Sequence, residues 1–239
     1  MFRMSKGTLY LIPSPLGDGP VEAVIPAAAL ERARSLDCFV VEEVRTARRY
    51  LSSAGLKGHI QELEFHTLNE HTTPAEVEEL LKLFVDGRDV GLISEAGLPA
   101  VADPGAALVA LCHRHGIKVV PFSGPSSLML ALMSSGLNGQ SFAFAGYIPA
   151  KTEERRAALR NLEKRSQQLH QTQLLIETPY RNDSLLADLL AVLSPKTQLC
   201  IAANITCPDE YIITKSVAQW RGAPVPVIGK RPCVFLFLA

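Results

Sequence analysis

Leu92-Ile93-Ser94-Glu95-Ala96-Gly97-Leu98-Pro99-Ala100-Val101-Ala102-Asp103-Pro104-Gly105 is the stretch whose reading decides the fold. The apolar run Asp89 to Ile93 that leads into it reads as a buried strand. Asp103-Pro104 reads as a helix N-cap followed by a proline at the first helical position. The helix it opens carries Ala107, Leu108, Leu111 and Cys112 on one face. The loop between strand and helix is long for a plain connector and rich in Gly, Ala and Pro. In an open α/β sheet, loops at the carboxyl ends of strands are where ligands bind.

The same alternation runs outward on both sides. Thr8 to Ile12 reads as a strand stopped by Pro13-Ser14-Pro15-Leu16-Gly17-Asp18. A helix from Ala27 to Arg34 and a strand from Cys38 to Val41 follow, with Glu42-Glu43-Val44-Arg45 at the strand's carboxyl end. A basic helix (Arg45, Arg48, Arg49) then ends near Gly55, and Ile60 to Phe65 reads as a weaker strand that leaves His66 in a loop. Thr73, Pro74 and Glu76 form a capping box for a helix that carries Val77, Leu80, Leu81 and Phe84 and closes at Gly87. Lys118 to Pro121 is the next strand, and Pro125 starts the helix beyond it. Gly136 to Gln140 reads as a domain break, giving domains 1–137 and 138–239. In the second, strands Phe142 to Ala145 and Gln173 to Ile176 alternate with helices, the first of them highly charged and expected to pair its charges along its own surface. The segments Leu199 to Ala203, Tyr211 to Thr214 and Val234 to Leu238 read as strands of an antiparallel finish. The expected fold is therefore two α/β domains, a mostly parallel sheet followed by a mixed one.

Lys plus Arg number 24 and Asp plus Glu number 24, so overall charge points neither to an autonomous nucleic-acid binder nor to a membrane-surface protein. The five cysteines include no C-x-x-C pair and mostly sit in apolar runs, which argues against a disulfide framework or a metal site. No apolar run reaches membrane-spanning length, so a cytoplasmic protein is expected. G-x-G-x-x-G, Walker A, H-E-x-x-H and G-x-S-x-G are all missing. Proline-started helices with uncharged loops remain, converging on one sheet edge. Such a pocket suits a ligand recognised through a purine, a ribose and an amino acid.

These residues also carry a resemblance. Gly7-Thr8-Leu9-Tyr10 and the loop Pro13 to Asp18 are similar to the first strand and loop of the tetrapyrrole-methylase-type S-adenosylmethionine-dependent methyltransferases. The likeness is strongest to the branch that 2′-O-methylates a cytidine of small-subunit ribosomal RNA. That branch's E-D-T-R resembles Glu42-Glu43-Val44-Arg45, and its H-x-x-N-E resembles His66, Asn69 and Glu70. Its S-D-A-G-x-P…D-P-G is similar to Ser94 to Gly105, its P-x-P-G-P-S to Pro121 to Ser126, its F-x-G-F-x-P-x-K to Phe144 to Lys151, and its E-S-x-H-R to Glu177 to Arg181. The match covers nearly the whole chain in the right order.

The resemblance implies a donor bound in a cleft between two α/β domains, usually in a homodimer. Its pocket is expected to be lined by Pro13, by Ser94, Glu95, Ala96, Gly97, Val101 and Asp103, by Ser126 and Ser127, and by the segments around Ile176 and Ala203. For a ribose hydroxyl acceptor, Glu42, Glu43 and His66 are the candidate bases in that order, and Arg45 is a candidate phosphate holder. Arg48, Arg49 and Arg181 would extend a positive strip, and no metal is implied. The departures fall on the acceptor side. The family's aspartate and threonine are Glu43 and Val44 here, and an Arg-Glu pair becomes Ala203-Asn204. The sequence also stops after its last strand, where the branch continues into an extension. An RNA methyltransferase is expected, with a small-molecule (tetrapyrrole-like) methyltransferase and a non-catalytic donor-binding protein as alternatives.

Overall fold

A computed structural model describes residues 6–239. They divide into two compact units between Ser126 and Ser127. The first holds β1 (Thr8–Leu11), the short α1 (Val21–Val24), α2 (Ala27–Arg34), β2 (Cys38–Val41), α3 (Val44–Leu51), β3 (Glu64–Thr67), α4 (Pro74–Glu79), β4 (Val90–Ile93), α5 (Ala106–Arg114) and β5 (Lys118–Pro121). Its five strands lie in the order β3-β2-β4-β1-β5, every pair parallel. The central strands β2 and β4 are buried along their whole length, as their unbroken apolar sequence requires. Alternate residues feed two cores. Leu9, Val40 and Leu92 pack with Leu108, Leu111 and Phe84 on one side, while Phe39, Val41 and Ile93 pack with Leu30, Tyr50 and Leu51 on the other. Gly91 admits the Phe39 ring, since a Cβ there would lie 2.7 Å from it.

The second unit holds α6 (Ser127–Ser135), β6 (Phe142–Gly146), α7 (Thr152–Leu169), β7 (Thr172–Ile176), α8 (Asn182–Val192), β8 (Gln198–Ala203), β9 (Tyr211–Ser216), α9 (Val217–Arg221) and β10 (Cys233–Leu238). The strand order is β6-β7-β10-β8-β9; only β6 and β7 pair in parallel, so the antiparallel finish is present. Its core is built on Phe235, Phe237, Leu159, Leu189 and Trp220, whose indole N–H donates to the Leu199 carbonyl at 2.9 Å.

Several expectations change. The chain divides at the head of α6 rather than at the Gly-rich break, because α6 lies against β8, β9 and β10. Ile60 to Glu62 is a tight helical turn, and the strand begins only at Glu64, opposite Cys38. Ile60 and Leu63, three apart, pack on the core from that turn, and His66 lies within β3. The Thr73 capping box is formed, but the α-helix ends at Glu79 and tightens into 3₁₀ turns through Leu80–Gly87. Ala107 is exposed, unlike Leu108, Leu111 and Cys112. The charged face of α7 is not only a surface face. Arg155, 5% exposed, bonds Asp188 of α8 through Nε and Nη2 at 2.7 and 2.5 Å, and Arg156 Nε holds the other carboxylate oxygen at 2.7 Å. No helix among the described residues is long and apolar enough to cross a membrane.

Candidate functional site

All five strands of the first sheet are parallel, so their carboxyl ends open onto one edge. The loops after β1 and β4 are zipped together there. Ser14 N donates to Gly97 O at 2.9 Å, Gly97 N returns to Ser14 O at 3.0 Å, and Ser14 Oγ donates to Ser94 O at 2.9 Å. Pro13 is buried between two supports. The Tyr50 hydroxyl donates to its carbonyl at 2.8 Å, and Gly124 approaches so closely that a Cβ would fall 2.2 Å from the Pro13 ring. Gly97 takes φ +79°, and a Cβ there would meet Leu16 at 3.2 Å and the Pro125 carbonyl at 3.4 Å. A side chain at Gly97 would therefore act by prying these loops apart. Ala100 and Ala102 also lie in the left-handed region, at φ 65° and 63°, a strained conformation that neighbouring structure must enforce.

Asp103 does not cap α5. The helix begins at Ala106 with Gly105 at its N-cap and no side-chain cap. The Asp103 carboxyl instead shares a crevice with Glu42 and Ser94. Burial, reinforced by the negative charge of Glu42 and opposed by a hydrogen bond from Ser94, pushes its pKa up to about 6. Glu42 is half-buried at the end of β2, where its carboxylate accepts the Glu95 amide at 3.4 Å. Burial also raises its pKa, with Glu95 and Glu70 adding to the shift. An acid whose folded pKa is raised loses stability as pH climbs through that value. Asp103→Asn should therefore stabilise the protein by about 1–2 kcal/mol near pH 7.5, about 3–6 °C in melting temperature. The gain should vanish below the ordinary aspartate range. A melting temperature unchanged at both pH values would show that Asp103 is not desolvated.

The other candidates separate. Glu43 is the N-cap of α3; its carboxylate accepts the amides of Arg45 at 2.9 Å and Thr46 at 2.6 Å, which hold its pKa down. Arg45 is exposed on the first turn of α3. His66 of β3, opposite Val40 of β2, has its Nε2 2.6 Å from Glu64, which also pairs with Arg88 at 2.5 Å. Cys38, Glu64 and His66 form the one metal-ligand-like group among the described residues. Burial holds the Cys38 thiol up at about 11 and Arg88 occupies Glu64, both unfavourable for ligation.

Ser94 is buried, while Glu95, Ala96 and Val101 are exposed on the β4 loop. Ser126 is buried at the end of the first unit and Ser127 opens α6. In the second unit Ile176 and Ala203 lie at one end of the sheet, opposite Val234 and Cys233 on either side of β10. Asn204 and Thr206, just beyond, are left-handed at φ 48° and 71°. After Ile176, Glu177 pairs with Arg181 at 2.6 Å, so Arg181 is not a free member of a positive strip. Glu177 Oε2, Arg181 Nε and Asn182 Oδ1 are buried with no hydrogen-bond partner among the described residues. Sequence reading missed Tyr50 as the support of Pro13. Its spacing from Ala47 and Leu51 marks it as core, and nothing local shows that its hydroxyl reaches Pro13.

A parallel sheet with interlocked loops and raised carboxyls at its carboxyl edge, followed by a mixed sheet, is a two-domain α/β architecture of the ligand-binding kind. The chain belongs to the tetrapyrrole (corrin/porphyrin) methylase family, whose model matches residues 8–220, and it is a methyltransferase. It is 32% identical over 221 residues to the ribosomal RNA small subunit methyltransferase I of Escherichia coli, covering 92% of this chain and 70% of that one. Among solved structures it resembles the methyltransferase CobJ with a TM-score of 0.64 at 17% identity, covering 97% of this chain and 94% of that one. It also resembles the Thermus thermophilus uroporphyrin-III C-methyltransferase complexed with S-adenosylhomocysteine, with a TM-score of 0.59 at 17% identity and 97% of each chain covered.

Proposed function

We propose that this chain methylates a ribose 2′-hydroxyl of small-subunit ribosomal RNA, using S-adenosylmethionine as donor and Glu42 as base. The observation that carries the reading is Glu42, a half-buried carboxylate with a raised pKa, tied to the Glu95 amide of the loop after β4. The relatives named ribosomal RNA small subunit methyltransferase I support the acceptor, and the S-adenosylhomocysteine complex of a structural neighbour supports the donor. Residues of the loops fit such a donor. The loop Ser94 to Asp103, at the carboxyl edge of the first sheet, offers a largely uncharged wall.

S-adenosylmethionine, when bound, supplies an electrophilic methyl group on a positively charged sulfur. Transfer of that methyl to the ribose 2′ oxygen would form an O–C bond as the C–S bond breaks, with that bond's electron pair returning to sulfur. The 2′ proton passes to the Glu42 carboxylate. The raised pKa brings Glu42 nearer neutrality than an ordinary glutamate, which suits a base working near neutral pH. The rest of the loop orients the acceptor and excludes water. Ser94 and Pro13 are held rigid by Ser14, Tyr50 and Gly97. A cytoplasmic homodimer completes the reading.

Calorimetric titration with S-adenosylmethionine and S-adenosylhomocysteine tests the donor. Incubation with small ribosomal subunits lacking the modification, followed by nucleoside mass spectrometry, tests the acceptor. A 2′-O-methylnucleoside supports the proposal. Donor binding without any RNA product would move the acceptor to a small molecule.

A further inference from the structure

We infer that the cavity between the β1 loop and α3 receives the acceptor nucleoside, everted from a single-stranded RNA segment whose phosphates run along a basic groove on α3. The inference rests on the RNA reading above and adds where the acceptor lies. The cavity encloses about 410 Å³, within the range of small-molecule sites, and its walls include Ser14, Tyr50, Ser53 and the donor-loop residues Ser94 to Ala96. Its lining holds one cation, Arg49, and two acids, Asp18 and Glu95, so the cavity suits an uncharged nucleoside better than a phosphate.

The neighbouring groove has the opposite character. About 820 Å³ of open space lies along Arg45, Arg48, Arg49 and Lys57. The three arginines are spaced i, i+3, i+4 and share one helix face. The only acid lining it is Glu43, whose carboxylate is taken up by the first amides of α3. No ion pair among the described residues involves these four cations, although the chain as a whole carries equal numbers of acids and bases. Arg49 and Ser53 line both spaces, so groove and cavity adjoin at these residues. That adjacency matches what an RNA acceptor needs. Bases and 2′-hydroxyls of loops and single strands can be splayed out, whereas a duplex holds them stacked. Phosphates contribute affinity and register on the basic groove, and the nucleoside enters beside the donor loop.

The test uses the full chain with three readouts: S-adenosylhomocysteine calorimetry, anisotropy of a labelled single-stranded oligoribonucleotide at several salt concentrations, and methylation of undermodified small subunits. Arg45→Glu with Lys57→Glu should weaken oligoribonucleotide binding at least ~10-fold and flatten the log–log salt slope by about 1.4, with S-adenosylhomocysteine affinity unchanged. Ser53→Trp, at an exposed position, should retain S-adenosylhomocysteine affinity yet cut methylation at least ~50-fold by filling the cavity; Ser53→Leu should give a smaller loss in the same direction. Unchanged oligoribonucleotide affinity in the double variant overturns the groove, including the case where it holds an acidic ribosomal protein. Full methylation by Ser53→Trp, or its loss of S-adenosylhomocysteine binding, overturns the cavity assignment. If the unmodified protein methylates subunits and the variants match it, only this inference falls; if it neither binds RNA nor methylates subunits, the RNA reading falls as well.

Discussion

Glu42→Gln should lower methyl transfer roughly 10²–10³-fold while leaving S-adenosylhomocysteine affinity within about twofold, because it removes a proton acceptor and keeps the shape of the side chain. The amide can still face Glu95, so the loop after β4 should stay in place. The pH profile separates a base from a mere support. Burial and the neighbouring carboxylates raise the Glu42 pKa, so the acid limb of the rate should fall at higher pH than for an ordinary glutamate. That limb should disappear in Glu42→Gln. Glu43→Gln is the contrasting variant. Its carboxylate is held ionised by two α3 amides and serves as a helix cap, so its loss should loosen α3 and leave turnover nearly intact. Single-turnover rates from about pH 5 to 9 decide the matter. A Glu42→Gln enzyme with the parental rate and profile would remove Glu42 from the chemistry.

What the sequence could and could not disclose follows from the range of the forces involved. The span Ala27 to Arg34, the strand Cys38 to Val41 and the capping box at Thr73 are legible because proline, apolar runs and capping pairs act within a few residues. Asp103-Pro104 carries the same local signal, yet the left-handed Ala102 and the pull of Ser94 take the carboxyl away from α5. Asp103 stays among the loop residues expected at the site, now as a half-buried acid with a raised pKa rather than a cap. His66 reads as a loop histidine because Ile60 to Phe65 looks strand-like; the register with β2 decides otherwise. The Gly-rich break at 136–140 is a loop signal, and loops do not reveal which sheet the preceding helix packs on. Arg155 reads as surface on α7, since its partner Asp188 lies 33 residues away in the chain.

That hidden pair sets the largest stability effect. Asp188→Ala should destabilise the second unit by about 3–5 kcal/mol, because it leaves the Arg155 guanidinium buried with only the Ala150 carbonyl to accept from it. The chain's one tryptophan, Trp220, is buried in the same core, so urea unfolding followed by its fluorescence reports on this unit. Replacing the buried pair together, Arg155→Met with Asp188→Val, should recover most of the loss, to within roughly 1 kcal/mol, since two apolar side chains of nearer volume need no compensating charge. The pH dependence has a defined sign. Burial raises the Asp188 pKa, but the hydrogen bonds from Arg156 and Arg155 outweigh it and leave it below the usual aspartate value. The carboxylate's contribution is therefore complete above the ordinary aspartate range and is lost only as pH falls through the lowered value. Wild type and Asp188→Ala should differ by the same amount from neutral pH down to the onset of acid unfolding. A Trp220 transition shifted by less than about 1 kcal/mol would mean that the pair behaves as an exposed one, and that Arg155 finds water when Asp188 is gone.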